Sequence, residues 1–371
     1  MKTQRRINAR PDARRSFLPA PSVPSVFTIE ITTACNNYCS GCANVELSRT
    51  RSGRKSTLAY MTRWKEVLNR VAALKSPNTI VRFSGGEPTL HPDFIEILKY
   101  ADALHLPFAV LSTGRWGRKS TAALISTLHS CPNFLGLLVS LHGDEPGTHG
   151  AFVGGGKMVF EETCHNIQTV SNAGLRVFTN TVITNLNFDK IESIVSFSEQ
   201  LGAQFAVFNR FIGPGHPLLP FDEQLRDAIR IIVLLQDAGK RCRVGNALPK
   251  CFFPHNAYPA PAGYELCHIS PSGKMRPDNF SHFSFGNIFE QNIESIWQSE
   301  AAVYYRDHFP ASCQDCAAFS ACRGGLKSLN LESIRPMGDP LMQSPLSFEQ
   351  IRFLNDDKSK NDPVMLALTS D

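Results

Sequence analysis

The feature that most constrains the fold is a regular alternation, starting at Val26, of short β-branched apolar runs with longer stretches of helical periodicity. Such alternation is typical of βα units in a parallel sheet. Six strand candidates occur, at residues 27–33, 79–85, 107–114, 135–143, 175–184 and 204–211. Helical patterns lie between them, for example over 62–74, 91–104 and 188–201. Six such units can curl into an open barrel, so we predict an α/β fold, a partial (β/α)6 barrel of the TIM type.

The alternation is expected to stop after one more helix, around 222–238. Cysteine, glycine and proline are frequent from about residue 245 onward, and PSGKMRPD at 271–278 is typical of a turn between two short strands. We therefore predict a basic flexible tail, a barrel, a small C-terminal module and a loose second tail, over residues 1–24, 25–240, 245–335 and 340–371.

Composition and charge exclude several classes of protein. Hydrophobic residues make up 42% of the 371 residues and charged residues 19%, which is ordinary for a globular chain. The net charge of +5 is concentrated in the first fifteen residues, which predicts a solvated tail and no nucleic-acid groove.

No apolar run approaches the roughly 18 residues of a membrane helix, and no signal peptide is visible. We expect a soluble, cytoplasmic protein. A transit peptide is the alternative for the Arg-rich start, although no amphipathic stripe supports it.

Eleven cysteines in a reducing compartment are not expected to form disulfides, and clustered ones indicate metal. The segment CNNYCSGC, directly after the first strand candidate, places Cys35, Cys39 and Cys42 in a C-x3-C-x2-C arrangement. A structural zinc site would need a fourth ligand nearby, and none follows in this loop. Three thiolates fit a [4Fe–4S] cluster with one iron open to another ligand. Three isolated cysteines are expected to be small buried hydrophobes instead: Cys131, Cys164 and Cys242.

Other candidate residues also follow strands, at the rim where barrel enzymes carry their chemistry. In SGGEP at 84–88, Gly85 and Gly86 let backbone approach a ligand closely, and Glu87 can accept a hydrogen bond from an ammonium group. In isolation this motif is only a turn. Four further residues at the ends of strands three to six could meet a ligand or serve local structure: Thr113, Ser140, Asn180 and Arg210.

CNNYCSGC and SGGEP, each after the expected strand, resemble the signature of the radical S-adenosylmethionine (SAM) superfamily. The resemblance implies that SAM chelates the open iron and that one electron from the cluster cleaves SAM to a 5′-deoxyadenosyl radical, which abstracts a substrate hydrogen. It also implies that the glycines and the glutamate of SGGEP hold the SAM amino group. The chain departs from the family at Gly41, where an aromatic residue that contacts adenine is usual.

The C-terminal module contains a second group of cysteines: Cys251, Cys267, Cys313, Cys316 and Cys322. The C-x2-C-x5-C spacing of the last three would suit zinc. The surrounding segments resemble the auxiliary-cluster extension, SPASM or twitch, of radical SAM enzymes. Two cysteines of that extension are replaced, by Asp278 and Leu326, so one auxiliary [4Fe–4S] cluster is expected. Its fourth ligand would be Cys267 or Cys251, with Asp278 as an oxygen alternative. Such a cluster could relay an electron or bind substrate at an open iron.

The resemblance implies an enzyme whose substrate is a ribosomally made peptide or a protein. It also implies a reductant such as flavodoxin or ferredoxin. Only about 25 residues precede the first strand, so a separate leader-peptide-binding partner is expected. The alternatives are a small-molecule dehydrogenase of the aminocyclitol type and a non-enzymatic iron–sulfur or zinc protein. No catalytic base is predicted, because Cys164, His142 and Tyr264 are each more often structural.

Overall fold

The computed structural model describes residues 21–42, 44, 59–74, 78–213, 215–254, 262–327 and 338–343. Both predicted tails lie largely outside these residues. No helix in the described ranges is long and apolar enough to cross a membrane.

The predicted alternation of strands and helices is confirmed, with shifted ends. The six expected strands are β1 Val26–Thr32, β2 Ile80–Gly85, β3 Phe108–Ser112, β4 Phe134–Ser140, β5 Val177–Ile183 and β6 Phe205–Arg210. All five neighbouring pairs, from β1–β2 to β5–β6, are parallel. Their carboxyl ends therefore lie at one edge of the sheet, as the site prediction requires.

The sheet continues beyond the six predicted strands on both sides. The additional strands are β7 Cys242–Val244, β8 Leu266–Ile269, β9 Lys274–Arg276 and β10 Gly286–Asn287. β7 pairs parallel with β6, and β8 pairs parallel with β1, giving the open order β10-β9-β8-β1-β2-β3-β4-β5-β6-β7. The expectation that the alternation stops at residue 238 was wrong by one strand, because three residues are too few to show a periodic pattern. The predicted turn lies between β8 and β9, which are antiparallel.

The α-helices of the described residues are α1 Met61–Ala73, α2 Phe94–Ala103, α3 Arg118–His129, α4 Pro146–Val153, α5 Lys157–Asn172, α6 Ile191–Gln200, α7 Asp222–Asp237, α8 Ile293–Trp297, α9 Glu300–Asp307 and α10 Phe319–Cys322. Short 3-10 helices occupy Pro88–Leu90 and Ala311–Cys313. The four predicted helices correspond to α1, α2, α6 and α7.

The strands bury both of their faces. On β1, Phe27, Ile29 and Ile31 belong to the main apolar core, together with residues of the helices such as Trp64 and Leu68 of α1. Side chains alternate across a strand, so the residues between them point the other way. Two of these, Thr28 and Glu30, line a cavity inside the sheet. The fold thus has an apolar layer under the helices and, inside the sheet, a cavity whose wall contains both polar and apolar side chains.

Candidate functional site

A cavity of about 250 Å³, which we call the large cavity, lies within the sheet. Nine of the residues predicted from the sequence line it: Cys35, Cys39, Cys42, Gly85, Gly86, Thr113, Ser140, Asn180 and Arg210. They come from six different strands or the loops that follow them. The fold therefore brings residues 175 positions apart in sequence to one cavity, from Cys35 to Arg210.

The three-cysteine loop is braced against α4 by backbone hydrogen bonds. The N–H groups of Tyr38 and Ser40 donate to the carbonyls of Val153 and Phe152, at 2.9 Å each. The three cysteines are partly exposed, which leaves them accessible from the cavity.

A second brace comes from Arg115, which sequence analysis missed. Its Nη1 donates to the Asn36 carbonyl and, at 3.0 Å, to Asn37 Oδ1, while its Nε donates to Glu162 of α5 at 3.2 Å. In return, Asn36 Nδ2 donates to the Arg115 carbonyl at 2.9 Å. These bonds connect the cysteine loop with the loop after β3 and with α5. A lone arginine in a turn carries no sequence signal for such a role.

The SGGEP loop packs so closely on the cysteine loop that only glycine fits. Gly85 has φ +142°, and a Cβ there would lie 2.3 Å from the Thr32 carbonyl oxygen. A Cβ at Gly86 would lie 2.1 Å from the Ala34 carbonyl oxygen. The N–H of Gly86 donates to Thr32 at 2.8 Å, so the two loops form one rigid unit at the rim.

Glu87 takes a different position from the expected one. It is fully buried and is not among the cavity-lining residues. Its carboxylate accepts hydrogen bonds from Ser112 Oγ at 2.9 Å, the Thr113 N–H at 2.7 Å, and the N–H and Oγ1 of Thr89 at 3.2 and 2.7 Å. With four donors in place, Glu87 ties the SGGEP loop to the end of β3. Thr113 and Ser112 are held through it.

Arg210 lines the cavity but is also part of a buried ion pair. Its Nη1 and Nη2 donate to the two carboxylate oxygens of Asp339, at 2.8 and 2.6 Å. Its buried Nε has no hydrogen-bond partner within the described residues. The same holds for the hydroxyl of Thr28, which also lines the cavity. Buried donors of this kind are normally satisfied, so they fit a cavity that receives a polar ligand.

A polar group at the β1 side of the cavity was not predicted. Arg276 donates to both oxygens of Glu30, at 2.9 and 2.8 Å, and His268 lies 3.5 Å from the same carboxylate. Burial alone would raise the pKa of Glu30, but Arg276 and His268 outweigh it, so the pKa is lowered. Glu30 is therefore an anion held by a guanidinium inside the sheet. The two partners are 246 residues apart, which explains why sequence analysis missed them.

His142, after β4, contributes a neutral ring to the cavity wall. Its Nδ1 accepts from the Val182 N–H at 3.1 Å, and its ring centre lies 4.1 Å from that of Phe152. Burial, and then the neighbouring His149, hold the pKa of His142 well below its usual value. Burial and then Arg115 lower the pKa of His149 to about 4. Both rings are uncharged at neutral pH.

Four cysteines of the C-terminal region line a second, small cavity of about 20 Å³: Cys251, Cys313, Cys316 and Cys322. Burial, followed by the neighbouring thiols of Cys322 and Cys316, raises the pKa of Cys313 to about 12. Metal binding here must therefore displace protons. Within the described ranges no group of three Cys, His, Asp or Glu side chains is arranged to hold a single metal ion. A [4Fe–4S] cluster is larger than one ion, and its four ligands stand around a wider core.

The other two candidates for the auxiliary site lie elsewhere. Cys267 is fully buried in β8 and belongs to the main apolar core, opposite Phe27 of β1. Asp278 is fully buried, and its Oδ1 accepts from the N–H groups of Phe280 and Ser281, at 2.9 and 3.1 Å. Neither lines the four-cysteine cavity. The geometry therefore favours Cys251 as the partner of the three C-terminal cysteines.

Two of the three isolated cysteines are buried, as expected, and the third is half-buried. Cys131 and Cys242 are buried in apolar clusters, and Cys164 packs against the main core.

Two protein-family models match the chain. Residues 29–198 match the radical SAM superfamily, and residues 261–317 match an iron–sulfur cluster-binding domain known as SPASM. The second match includes Cys313 and Cys316, whereas Cys251 and Cys322 lie outside it.

Known proteins resemble the chain over most of its length. The mycofactocin maturase MftC of Mycolicibacterium smegmatis is 26% identical over 85% of this chain and 81% of its own. The AdoMet-dependent heme synthase of Methanosarcina barkeri is 25% identical over 82% of this chain and 91% of its own. The crystal structure of Streptococcus suis SuiB bound to the precursor peptide SuiA has a TM-score of 0.70 and 15% identity, covering 87% of this chain and 77% of SuiB. The last likeness is one of fold.

Proposed function

The chain belongs to the radical SAM superfamily and carries an iron–sulfur extension, and from this premise we propose that it is an enzyme that modifies a ribosomally made peptide. The observation that carries the proposal is the 250 Å³ cavity where the three-cysteine loop meets the Gly-Gly loop and the polar ends of β3 to β6. A cluster and SAM bound there would supply a 5′-deoxyadenosyl radical for hydrogen abstraction. The remaining role of the site, to position these groups, belongs to the residues of the chain itself.

Each wall of the cavity has a part in this proposal. Cys35, Cys39 and Cys42 would hold the cluster, and the backbone of Gly85 and Gly86 would approach the SAM amino acid moiety. Thr113, Ser140 and Asn180 would offer hydrogen-bonding groups to SAM. The arginine Nε of Arg210 and the hydroxyl of Thr28, both buried and unsatisfied in the described chain, would meet SAM or substrate. The position of the cavity inside the sheet would limit the access of water to a reactive carbon radical.

We assign the auxiliary [4Fe–4S] cluster to Cys251, Cys313, Cys316 and Cys322. Four thiolates would occupy all four irons, so substrate would have no open iron to bind. The four-cysteine cavity also shares no lining residue with the large cavity. Both points support electron relay as the role of this cluster.

The ligand assignment can be tested with two cysteine variants in a background that lacks the cluster loop cysteines (Cys35→Ala, Cys39→Ala, Cys42→Ala). Cys251→Ala should lose most of the remaining iron, because one of four ligands is removed. Cys267→Ala, the matched control, should keep its iron, because this thiol lies in the apolar core. Iron and acid-labile sulfide per chain are the measurement, and the reverse pattern would refute the assignment.

A peptide substrate is supported by the maturase relative and by the peptide-bound structure of SuiB. The heme synthase relative favours a second candidate, a small molecule. Proposed partners are a reduced flavodoxin or ferredoxin as electron source and a separate leader-peptide-binding protein. We propose a cytoplasmic location, because thiolate-held clusters need a reducing compartment.

The test is anaerobic turnover of the reconstituted enzyme with SAM and dithionite, plus a candidate precursor peptide, with and without a leader-binding protein. We expect peptide-dependent 5′-deoxyadenosine and a mass change in the peptide. Deuterium placed at the modified carbon should appear in 5′-deoxyadenosine. Turnover of a porphyrin precursor, with the peptide unchanged, would replace the first candidate by the second. Failure to form 5′-deoxyadenosine under any condition would refute both.

A further inference from the structure

A short segment closes the four-cysteine cavity from outside the cysteine-bearing loops. We call residues 338–343 the strap. Met342 and Gln343 of the strap line the cavity, and the Gln343 N–H donates to Cys251 Sγ at 3.2 Å. The Met342 N–H bonds to the Asp339 carbonyl at 3.0 Å, which makes the strap a compact turn. The strap therefore controls both the outer wall of the cavity and the position of one cysteine.

The side chain of Asp339 connects the strap to the rest of the protein. It is almost fully buried and accepts four hydrogen bonds. Two come from the guanidinium of Arg210, one from the Leu326 N–H at 2.8 Å and one from the Leu341 N–H at 3.0 Å. Leu326 follows Cys322 by four residues. Asp339 thus connects the strap, the loop after Cys322 and the end of β6.

The partner of Asp339 belongs to the large cavity. Arg210 ends β6, lines the cavity and is itself held by Asn246, whose Oδ1 accepts from the Arg210 N–H at 2.8 Å. Asn246 lines the same cavity. Because both Nη atoms of Arg210 bind Asp339, the guanidinium has a fixed orientation, with only Nε left for a ligand. The glycine at Gly325 is needed for this packing, since a Cβ there would lie 2.6 Å from Asp339 Oδ2.

We infer that Asp339 is a positioning residue that connects the two sites: it holds the strap over the four-cysteine cavity and orients Arg210 in the wall of the large cavity. This rests on the proposed function insofar as the four cysteines hold the auxiliary cluster. Bidentate arginine–carboxylate pairs are directional and strong when buried. Removing one partner leaves a buried charge without its counter-ion, which is worse than removing both. Replacing one partner should therefore cause a larger loss than replacing both, a pattern that simple loss of packing does not produce.

The experiment measures iron and sulfide, and the reduced-state EPR spectrum, in the variant with Cys35→Ala, Cys39→Ala and Cys42→Ala, where only the auxiliary cluster can form. This background should bind about four irons per chain. Adding Asp339→Asn should lower the iron at least twofold and alter the EPR signal. Asp102→Asn is the matched control, because Asp102 also accepts a backbone N–H, from Asn133 at 2.9 Å, and lines neither cavity. It should leave the iron unchanged.

The possible outcomes are distinct. If the background itself binds no iron, the auxiliary-cluster proposal fails. If the background binds iron and Asp339→Asn binds as much as the control, the inference about Asp339 fails. Arg210→Gln alone should lose more iron than Arg210→Gln with Asp339→Asn, and additive losses would refute the coupling.

A reciprocal background, with Cys313→Ala, Cys316→Ala and Cys322→Ala, separates positioning from misfolding. There Asp339→Asn should leave the iron of the three-cysteine loop unchanged, because Arg210, the contact of Asp339 in the large cavity, is not among the residues proposed to hold that cluster. Loss of that iron too would mean that Asp339 acts through the whole fold, and would overturn the inference.

Discussion

At the residue scale, a substitution of Glu87 can distinguish a structural role of this carboxylate from a role as a SAM ligand. Its carboxylate is already saturated by Ser112, Thr113 and Thr89. In Glu87→Gln an amide group replaces one acceptor oxygen, so we expect a loss of about 1–3 kcal/mol in the free energy of unfolding of the SAM-free protein. Urea denaturation checks this. A direct ligand of the SAM ammonium would instead weaken SAM binding and leave that stability unchanged.

Gly86 gives a second prediction at this scale. In Gly86→Ala the new Cβ would lie 2.1 Å from the Ala34 carbonyl oxygen, beside the first cysteine. Backbone must move, so cluster content and SAM cleavage should fall at least tenfold, measured as iron and 5′-deoxyadenosine per chain. Gly117→Ala is the control, because no atom lies within 4 Å of its Cβ position. Equal effects of the two changes would contradict this account.

The residues that could be predicted from the sequence are those with local signals. The spacing of Cys35, Cys39 and Cys42 and the doubled glycine of SGGEP are each readable within eight residues, and all five line the large cavity. The choice between Cys251 and Cys267 could not be predicted, because both precede the C-terminal cysteines and only packing separates them. The same holds for the Arg210–Asp339 pair, whose partners are 129 residues apart.

At the scale of elements, the six long strands could be predicted because each has at least five residues and is rich in apolar and β-branched side chains. β7 and β9 have three residues each, and β10 has two. Such strands exist because neighbouring strands already present a hydrogen-bonding edge, not because of their own propensity. The parallel pairing of β8 with β1 is a long-range event of this kind. This pairing brings His268, and Arg276 on the next strand, beside Glu30 and so forms the buried polar group at the β1 side of the cavity.

Arg115 supplies the prediction at the element scale, since it connects the cysteine loop, the loop after β3 and α5. In Arg115→Ala the contacts with Asn36, Asn37 and Glu162 are lost. We expect the iron of the three-cysteine loop to become labile to chelators and SAM cleavage to fall about tenfold. Arg115→Lys should show a smaller loss, because one ammonium cannot reproduce the fork of donors. Arg118→Ala, on the exposed start of α3, serves as control and should match the unaltered protein.

For the whole molecule, the fold places the two proposed cluster sites in cavities that share no lining residue. The large cavity is formed mainly by strands β1 to β6 and the loops after them, with Asn246, His268, Asn279 and Phe280 from later in the chain, and the small one by loops after β7 and near α10 together with the strap. Radical formation and electron relay can then be altered independently, as the paired cysteine backgrounds allow. The buried Arg210–Asp339 pair is a contact that reaches from the wall of the large cavity to the strap over the small one.

The stability of the whole molecule should depend on pH through His149. Its folded-state pKa is about 4, below the usual 6.5, because burial and Arg115 disfavour the charged ring. Between those values the unfolded chain binds a proton that the folded chain does not, so stability falls as pH falls from 6.5 toward 4, by about 1.4 kcal/mol per pH unit. His142, whose pKa is also lowered, adds to the same trend. In His149→Asn, where Oδ1 can replace Nδ1 as acceptor for the His142 N–H, the slope of unfolding free energy against pH should be smaller. Urea denaturation of the metal-free protein between pH 7.5 and 5.5 provides the measurement, and an unchanged slope would show that folding does not lower the pKa of His149.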